Sequence, residues 1–427
     1  MIQMASGRTL EANVVRQSRP RWQVEFRRVW VAQTVALFGG QVATLAIPFT
    51  AALTLGASAL QMGLLAAAGQ APFLLCSLPA GVWVDRARRQ RALLIAADLG
   101  RAALLTLVPL AALLNIMRIE LLYGVAFLTG VQSVLFEIAH YAYVPALVGR
   151  ERLTEVNGRL QVSYSAADAA GPGLAGVLIQ AVTAPLAVLT TALSYLISAA
   201  LLGRVRQPER PRGLRWEAGE GLRALLGHPL LRPIVLASAL GGFFYHAVRA
   251  LYVLYAVEEL GLGATGIGIA LAAGGIAAVP GGLRAGWAAR RFGFGAAICG
   301  GWLVEAAALL LIPLAHGPFA ILVLIAAQAA GELAGAVANV NQWSLRQAVT
   351  PDRLQGRVTA SHRFLVYGAY PLGSLLGGLL ATALGLRPAL VVCAFGALLG
   401  PLWLLTSPLR SLREPPVPIS EAASTAA

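Results

Sequence analysis

A succession of long apolar segments, separated by short polar ones, constrains this chain more than any other feature. A helix needs about 20 consecutive apolar residues to cross the hydrocarbon core of a bilayer, and we identify twelve such segments in the 427 residues. The first six are Val29–Leu55, Leu60–Trp83, Ala92–Leu114, Leu121–Val144, Leu160–Val182 and Leu186–Leu202. The other six are Ile234–Val257, Gly266–Ala289, Ala296–Leu314, Phe319–Trp343, Phe364–Leu384 and Pro388–Leu405. The pattern predicts an all-α membrane protein with twelve transmembrane helices.

The composition agrees with this prediction. Charged residues make up 12% of the chain and hydrophobic ones 58%, whereas an average soluble protein carries about 25% charged residues. Soluble domains of this total length could not bury so much apolar surface. Cys76, Cys299 and Cys393 lie inside apolar segments without metal-ligand spacing, so we expect small core residues and no metal site.

Several enzyme classes lack their signatures in this sequence. All 33 positively charged residues are arginine, and lysine is absent, which excludes a Walker A phosphate loop and Schiff-base lysine chemistry. The sequence contains no His-Glu-x-x-His motif and no Gly-x-Ser-x-Gly elbow. We therefore expect no enzyme activity and no cofactor.

The distribution of arginine predicts the orientation. If the N-terminus is cytoplasmic, the inner loops and tails hold 26 arginines and the outer loops hold only Arg118 and Arg387. Such a bias is typical of the positive-inside rule, and it predicts cytoplasmic N- and C-termini in an inner or plasma membrane. Because the arginines are dispersed among short loops, topology and anionic lipid explain the net charge of +14 better than a nucleic-acid partner does.

The two halves of the chain resemble each other at an offset of 201 residues. Val148-x-x-Glu-Arg-Leu153 corresponds to Val349-x-x-Asp-Arg-Leu354. We therefore divide the chain into a cytoplasmic tail (1–28), a six-helix bundle (29–203), a cytoplasmic linker (204–232), a second six-helix bundle (233–406) and a cytoplasmic tail (407–427). Two bundles related by an axis along the membrane normal place a substrate site between them near the midplane.

The loop between the second and third segments carries a motif. It reads Gly81-Val-Trp-Val-Asp-Arg-Ala-Arg-Arg-Gln-Arg91 and resembles the loop signature of the major facilitator superfamily, Gly-x-x-x-Asp-Arg-x-x-Arg-Arg. The resemblance implies the major facilitator fold and a conformational latch in which Asp85 contacts the start of the eleventh span. The latch residues would be Gly81, Asp85, Arg86 and Arg89, with Arg353 or Arg357 as partners. A positive-inside stop signal is the alternative, but it leaves Gly81 and Asp85 unexplained.

A second motif lies in the fifth segment. Pro172 cannot donate to the carbonyl of Asp168, so the helix should bend there. Gly171 and Ala175 form a small-x-x-x-small face for close helix packing, and the motif ends at Gly176. The eleventh segment repeats this device with Pro371, Gly373 and Gly377. The run resembles the corresponding motif of proton-coupled antiporters in the superfamily; a purely structural packing role is the alternative.

Residues 136–157 continue into this second motif, and together they resemble the branch that includes macrolide-efflux and enterobactin-exporter proteins. The chain departs from many drug–proton antiporters because its fourth span lacks an arginine and has Gln132 among neutral residues.

Ionisable side chains inside spans are costly and usually functional. As proton-coupling candidates we identify Glu137, Asp168, Glu305 and Glu332; the alternative for each is a neutral or paired carboxylate that ties helices together. Glu137 is followed one turn later by His140 and Tyr141, which suggests a proton-sharing cluster. For Asp98 and Arg101, three residues apart, we expect a local ion pair.

Polar and aromatic residues at helical spacing predict the walls of a substrate cavity. The candidates are Gln41, Gln132, His140, Tyr245, Arg249, Tyr252, Gln328 and Asn339. For Tyr252 an interfacial aromatic belt is the alternative. Arg249 lies deep in an apolar segment, so it should meet either an anionic substrate group or one of the carboxylates.

These observations predict a monomeric secondary active transporter that works by alternating access. Without an ATP site, an ion gradient is the expected energy source, and the resemblance implies export of drug-like or secondary-metabolite molecules against protons. The alternatives are an uptake symporter or a lipid flippase of the same fold, and a membrane enzyme or receptor without transport.

Overall fold

The protein is built from α-helices throughout its described part. The computed structural model describes residues 21–86, 89–149, 152–206 and 218–414, and no β-strand occurs among them. The helices of the N-terminal part are α1 (Arg21–Phe49, continued by the π-helix Thr50–Thr54), α2 (Ala59–Arg86), α3 (Gln90–Leu113), α4 (Ile119–Val148), α5 (Leu153–Val182) and α6 (Ala184–Gly203). Then follow α7 (Ala218–Gly227), α8 (Leu231–Glu258), α9 (Ala264–Phe292), α10 (Phe294–Leu309), α11 (Ala320–Val349), α12 (Gln355–Leu384), α13 (Leu386–Ala397) and α14 (Leu399–Leu405).

Within the described ranges, eleven helical segments are long and apolar enough to cross a membrane. The expected fifth span, α5, has 30 residues but is not among them, because Asp168, Gln180 and the Gly171-Pro172-Gly173 run lower its hydropathy. Large apolar side chains such as Leu75 and Leu283 are 61% and 82% exposed; lipid rather than water suits such surfaces. The prediction of an all-α multi-pass membrane protein is confirmed.

We call α1–α6 the first half and α8–α14 the second half. In the first half α1 packs against α5 and α6, α2 against α4, and α3 against α4 and α6. In the second half α8 packs against α12 and α13, and α11 against α9 and α10. The closest packing between the halves joins α2 to α12 and α5 to α9. Because α2 corresponds to α9 and α5 to α12 at the offset of 201 residues, these two contacts are equivalent.

Successive long helices run in opposite directions, so the loops fall at two ends. We call the end at which α2, α4, α9 and α11 finish the Arg-rich end, and the opposite end the Arg-poor end. The predicted linker contains the helix α7, which packs against α12 and α8 near the Arg-rich end.

Several predicted spans begin or end at other residues than the helices do, and two of the differences have a local cause. Helix α1 already includes Arg21, whereas the span was predicted from Val29, because Phe26 continues the buried face and is 1% exposed. The last predicted span is divided into α13 and α14. Pro401 cannot donate a hydrogen bond to the carbonyl of Ala397, where α13 ends.

Asp98 and Arg101 form a buried ion pair in α3, as expected from their spacing. Asp98 is 0% exposed and Arg101 6%. The guanidinium carbon of Arg101 lies 4.4 Å from the ring centroid of Phe136 in α4 and 4.2 Å from that of Tyr195 in α6. The pair therefore ties three helices of the first half together.

Replacing Asp98 with alanine is expected to destabilise the protein by about 3–5 kcal/mol, because it leaves the Arg101 cation buried without its partner. The measurement is thermal unfolding of the detergent-purified protein. Glu155→Ala is the control: its pair with Arg159 is 53% exposed on both sides and should contribute below about 1 kcal/mol. Equal losses in the two variants would contradict this account.

Candidate functional site

A cavity of about 450 Å³ lies between the two halves, within the range of roughly 300–1,000 Å³ typical of small-molecule sites. It is lined by α1 and α5 of the first half, by α8, α9 and α11 of the second half, and by the end of α10 with the following turn. The polar residues in its wall are Gln41, Thr44, Asp168, Tyr245, Arg249, Tyr252, Gln328 and Glu332. The apolar ones are Leu45, Pro48, Pro172, Val248, Val253, Leu271, Gly275, Ala278, Leu309 and Ile312.

Asp168 is the carboxylate that the first half contributes to the cavity. Gln41 in α1 donates from Nε2 to Asp168 Oδ1 at 2.7 Å, and the Asp168 side chain remains exposed. Gly171, one turn further along α5, makes this contact possible: a Cβ atom there would lie 2.5 Å from Cγ of Gln41. The sequence of α5 thus brings α1 close enough for a neutral amide to bind the carboxylate.

The second half contributes a short hydrogen-bond chain. Tyr245 donates from its hydroxyl to Glu332 Oε1 at 3.1 Å. Arg249, one turn after Tyr245 in α8, donates from Nη1 to the same hydroxyl oxygen at 3.4 Å. Arg249 remains exposed, while Tyr252, on the same face of α8, is 4% exposed. Two carboxylates and one cation therefore share the cavity.

The structure brings together eight of the predicted site residues in the cavity wall: Gln41, Asp168, Pro172, Tyr245, Arg249, Tyr252, Gln328 and Glu332. Thr44 and Pro48 also line it and were not singled out from the sequence. Their positions one turn and two turns after Gln41 on α1 are the signal that could have identified them.

Four other candidates do not line the cavity. Gln132 packs against Gly100 of α3. His140 is 7% exposed and stacks on Phe136, with ring centroids 5.9 Å apart. Asn339 accepts a hydrogen bond from Trp302 Nε1 at 3.2 Å. The carboxylate of Glu305 lies against Gly335 of α11.

Glu137 has a partner that the sequence did not suggest. It forms an ion pair with Arg363 of α12, so the first half is joined to the second half. The Arg363 guanidinium carbon lies 5.4 Å from the ring centroid of Tyr141 and 5.1 Å from that of Tyr367. Because α12 begins at Gln355, Arg363 lies about two turns inside the helix, whereas the sequence placed it at the edge of a span. Arg363 thus contacts both Glu137 and Tyr141, and the proton-sharing cluster of Glu137, His140 and Tyr141 stays a prediction.

The described residues include only part of the predicted latch. The side chains of Asp85 and Arg86 lie outside the described residues. Arg89 is exposed immediately before α3, and Gly81 is buried in α2. Arg353 and Arg357 both form ion pairs with Glu220 of the linker helix α7, a partner that was not foreseen. The latch itself stays a prediction.

The glycines of the second motif lie at contacts between helices. A Cβ atom at Gly176 would lie 2.5 Å from the carbonyl oxygen of Ala264 in α9. In α12, Gly373 and Gly377 abut the backbone of Phe243 and Ala247 in α8 in the same way. Pro172 and Pro371 lie inside continuous helices, and the functional role of the bends stays a prediction.

Comparison with known proteins agrees with this arrangement. A family model described as transmembrane secretion effector, one of the major facilitator superfamily, matches residues 18–422. The chain is 26% identical over 372 residues to the multidrug efflux pump Tap of Mycolicibacterium fortuitum, covering 80% of this chain and 86% of that protein. It is 28% identical over 405 residues to Tap of Mycobacterium tuberculosis (strain ATCC 25618 / H37Rv), covering 85% and 88%.

Two solved structures are similar in fold. One is a bacterial homologue of the human lysosomal transporter Spinster in an inward-facing and occupied conformation, with a TM-score of 0.72, 14% identity, and 91% of this chain and 97% of that chain covered. The other is a bacterial homologue of the iron transporter ferroportin in its inward-facing state, with a TM-score of 0.71, 18% identity, and 92% and 100% covered. At such identities they show the shared fold alone.

The family model, together with the fold and the cavity between the halves, identifies a membrane transporter of the major facilitator superfamily and not an enzyme. Within that superfamily, this chain belongs to the transmembrane secretion effector family. The resemblance noted at Gly81–Arg91 is confirmed at the level of the superfamily. The narrower branch, with its macrolide and enterobactin exporters, stays a prediction.

Proposed function

We propose that this protein exports amphipathic small molecules in exchange for protons, by alternating access of the cavity to the two sides of the membrane. One observation carries the proposal: the cavity takes Asp168 from the first half and Arg249 and Glu332 from the second half. When the halves rock against each other, a site between them opens first to one side of the membrane and then to the other.

The proposal includes a definite membrane arrangement. Helix α5 crosses the membrane as well and brings the number of spans to twelve, since its 30 residues measure roughly 45 Å at 1.5 Å per residue. Helices α1–α6 and α8–α14 then form two six-helix bundles. The Arg-rich end faces the cytoplasm, so that both termini are cytoplasmic and the protein lies in the plasma or inner membrane. The transporting unit is a monomer, because a single chain supplies both sides of the cavity.

We assign the proton to Asp168. Its oxygen accepts from the neutral Gln41 amide, an interaction that either protonation state of the carboxyl group can retain, since a protonated carboxyl keeps an acceptor oxygen. Glu332 is held by Tyr245, which in turn contacts Arg249. We therefore assign the proton exchange to Asp168, and we assign Glu332, which belongs to this hydrogen-bond chain within the second half, to the shape of the cavity.

Export is favoured over uptake by the Tap relatives, which are multidrug efflux pumps. The test uses everted membrane vesicles with an imposed pH gradient, acid inside, and a panel of fluorescent amphiphiles. Export in exchange for protons predicts accumulation that depends on the gradient and collapses when a protonophore is added. Accumulation driven by a gradient of the opposite sign would support an uptake symporter, and accumulation that ignores the gradient would support a lipid-flippase type of movement.

The ion pair between Glu137 and Arg363 is expected to help hold the halves together in the state described here. Glu137→Gln and Arg363→Gln should each lower the transport rate by about tenfold, equivalent to about 1.4 kcal/mol, because each leaves a partly buried charge unpaired. The exchanged pair Glu137→Arg with Arg363→Glu should recover most of the loss. Transport rates in reconstituted vesicles check this, and the idea is rejected if the exchanged pair is no better than the single variants.

A further inference from the structure

Arg249 is a cation in the cavity wall, and among the described residues it forms no ion pair. Its guanidinium is exposed, and within the described residues its hydrogen bond is the 3.4 Å contact to the neutral Tyr245 hydroxyl. Asp168 and Glu332 line the same cavity and interact with it electrostatically, yet among the described residues neither forms an ion pair with it. A guanidinium has five N–H donors, and most of those of Arg249 are left for a ligand.

We infer that Arg249 binds an acidic group of the substrate while Asp168 faces a cationic group, so that the substrates are zwitterionic amphiphiles. This inference rests on the proposed function of the cavity. The planar fork of an arginine side chain matches the two oxygens of a carboxylate or phosphate. The two charges belong to different halves, Arg249 to α8 and Asp168 to α5, so one substrate molecule would connect both halves.

The remainder of the wall fits an apolar or aromatic body between the two charged groups. Tyr252, 4% exposed, presents its ring on the same face of α8 as Arg249. Val248, Leu271 and Leu309 supply aliphatic surface from three different helices. A site with a few polar groups in a largely apolar wall is typical of amphipathic ligands.

Proton exchange requires the cationic group on the substrate, and Arg249 accounts for the acidic one. A substrate that carried only an acid would bind better when Asp168 is protonated, because the repulsion by its carboxylate is then removed. Such a substrate would travel together with the proton. A cationic group on the substrate instead competes with the proton for Asp168, and only that competition gives exchange. Arg249 then adds affinity for the acid without taking part in the proton exchange, because arginine stays charged.

A matched pair of dyes tests the inference. Rhodamine B carries a benzoate and a delocalised cation, and its ethyl ester differs only by masking the benzoate. In reconstituted vesicles with a pH gradient, the wild-type protein should transport rhodamine B with the lower KM. Arg249→Gln should raise the KM for rhodamine B by about tenfold and leave that for the ester within about twofold, which also shows that the variant is folded. The KM of Arg249→Lys for rhodamine B should lie between those of the wild-type protein and Arg249→Gln, since lysine keeps the charge but lacks the planar fork.

Arg284→Gln is the control, because Arg284 is an exposed arginine of α9 that does not line the cavity; it should change neither KM. If Arg249→Gln leaves the ratio of the two KM values unchanged, or raises both equally, Arg249 does not select the acid and the inference is wrong while the proposed function stands. If the wild-type protein moves neither dye in response to the gradient, the proposed function fails, and the inference fails with it.

Discussion

Asp168→Asn is expected to abolish the accumulation of substrate against its concentration gradient. Exchange of one proton for one substrate molecule accumulates the substrate about tenfold for each pH unit of the gradient, since one unit is worth about 1.4 kcal/mol. Asparagine cannot take up the proton, so the variant should accumulate no more than wild-type vesicles treated with a protonophore. Its amide is nearly isosteric with the carboxyl group, and it can still accept a hydrogen bond from Gln41.

Two further carboxylates of the chain serve as controls for this variant. Glu155→Gln removes an exposed carboxylate from the same helix, where it is paired with Arg159, and should leave accumulation unchanged. Glu332→Gln should raise the KM but keep the dependence on the gradient, because Glu332 is assigned to the cavity wall and not to proton exchange. Full gradient-driven accumulation by Asp168→Asn would show that another group carries the proton.

Gly275→Val is expected to have the second large effect. Gly275 lies where α9 meets α5 beside the cavity, and a Cβ atom there would lie 2.3 Å from the carbonyl oxygen of Asp168 and 2.6 Å from Cα of Ala169. Both are backbone atoms, so the two helices must separate. Overpacking of this kind costs about 1–3 kcal/mol. The fraction of molecules in which α5 and α9 are in contact therefore falls by roughly 5- to 150-fold. We expect the transport rate to fall by a comparable factor.

Gly282→Val is the matched control, since it lies on the same helix and a Cβ atom there would meet nothing within 4 Å. Transport rates in reconstituted vesicles, normalised to the amount of monodisperse protein, separate loss of function from loss of folding. A Gly275→Val protein as active as Gly282→Val would mean that the contact between α5 and α9 does not have to form during transport.

Helical spacing accounts for the part of the cavity that the sequence could predict. Tyr245, Arg249 and Tyr252 recur at intervals of four and three residues and therefore share one face of α8. Gln328 and Glu332 share a face of α11 for the same reason. In both helices a polar face in an apolar span had to meet either a cavity or another polar group, and the structure places both faces on the cavity.

Contacts between distant parts of the chain account for what the sequence could not predict. Glu137 and Arg363 are 226 positions apart, and no local pattern indicates that α4 and α12 meet there. Glu220 lies in a segment that the composition identified only as a linker, so its ion pairs with Arg353 and Arg357 could not be predicted. His140 shows the converse: it was taken as a cavity candidate because it is a polar residue in a span, but it lies on the buried face of α4 together with Phe136 and Tyr143. Which face of a helix lines a cavity depends on tertiary packing.

The movement of protons caused by a substrate gradient is the direct test of proton exchange at Asp168. The wild-type protein is reconstituted with a pH-sensitive dye inside the vesicles, and a zwitterionic amphiphile such as rhodamine B is added outside without any initial pH gradient. Our account predicts that substrate entry drives protons out, so that the vesicle interior becomes more alkaline, and that Asp168→Asn shows no such change. An interior that becomes more acidic as the substrate enters, or that keeps its pH while the wild-type protein transports it, would contradict the account.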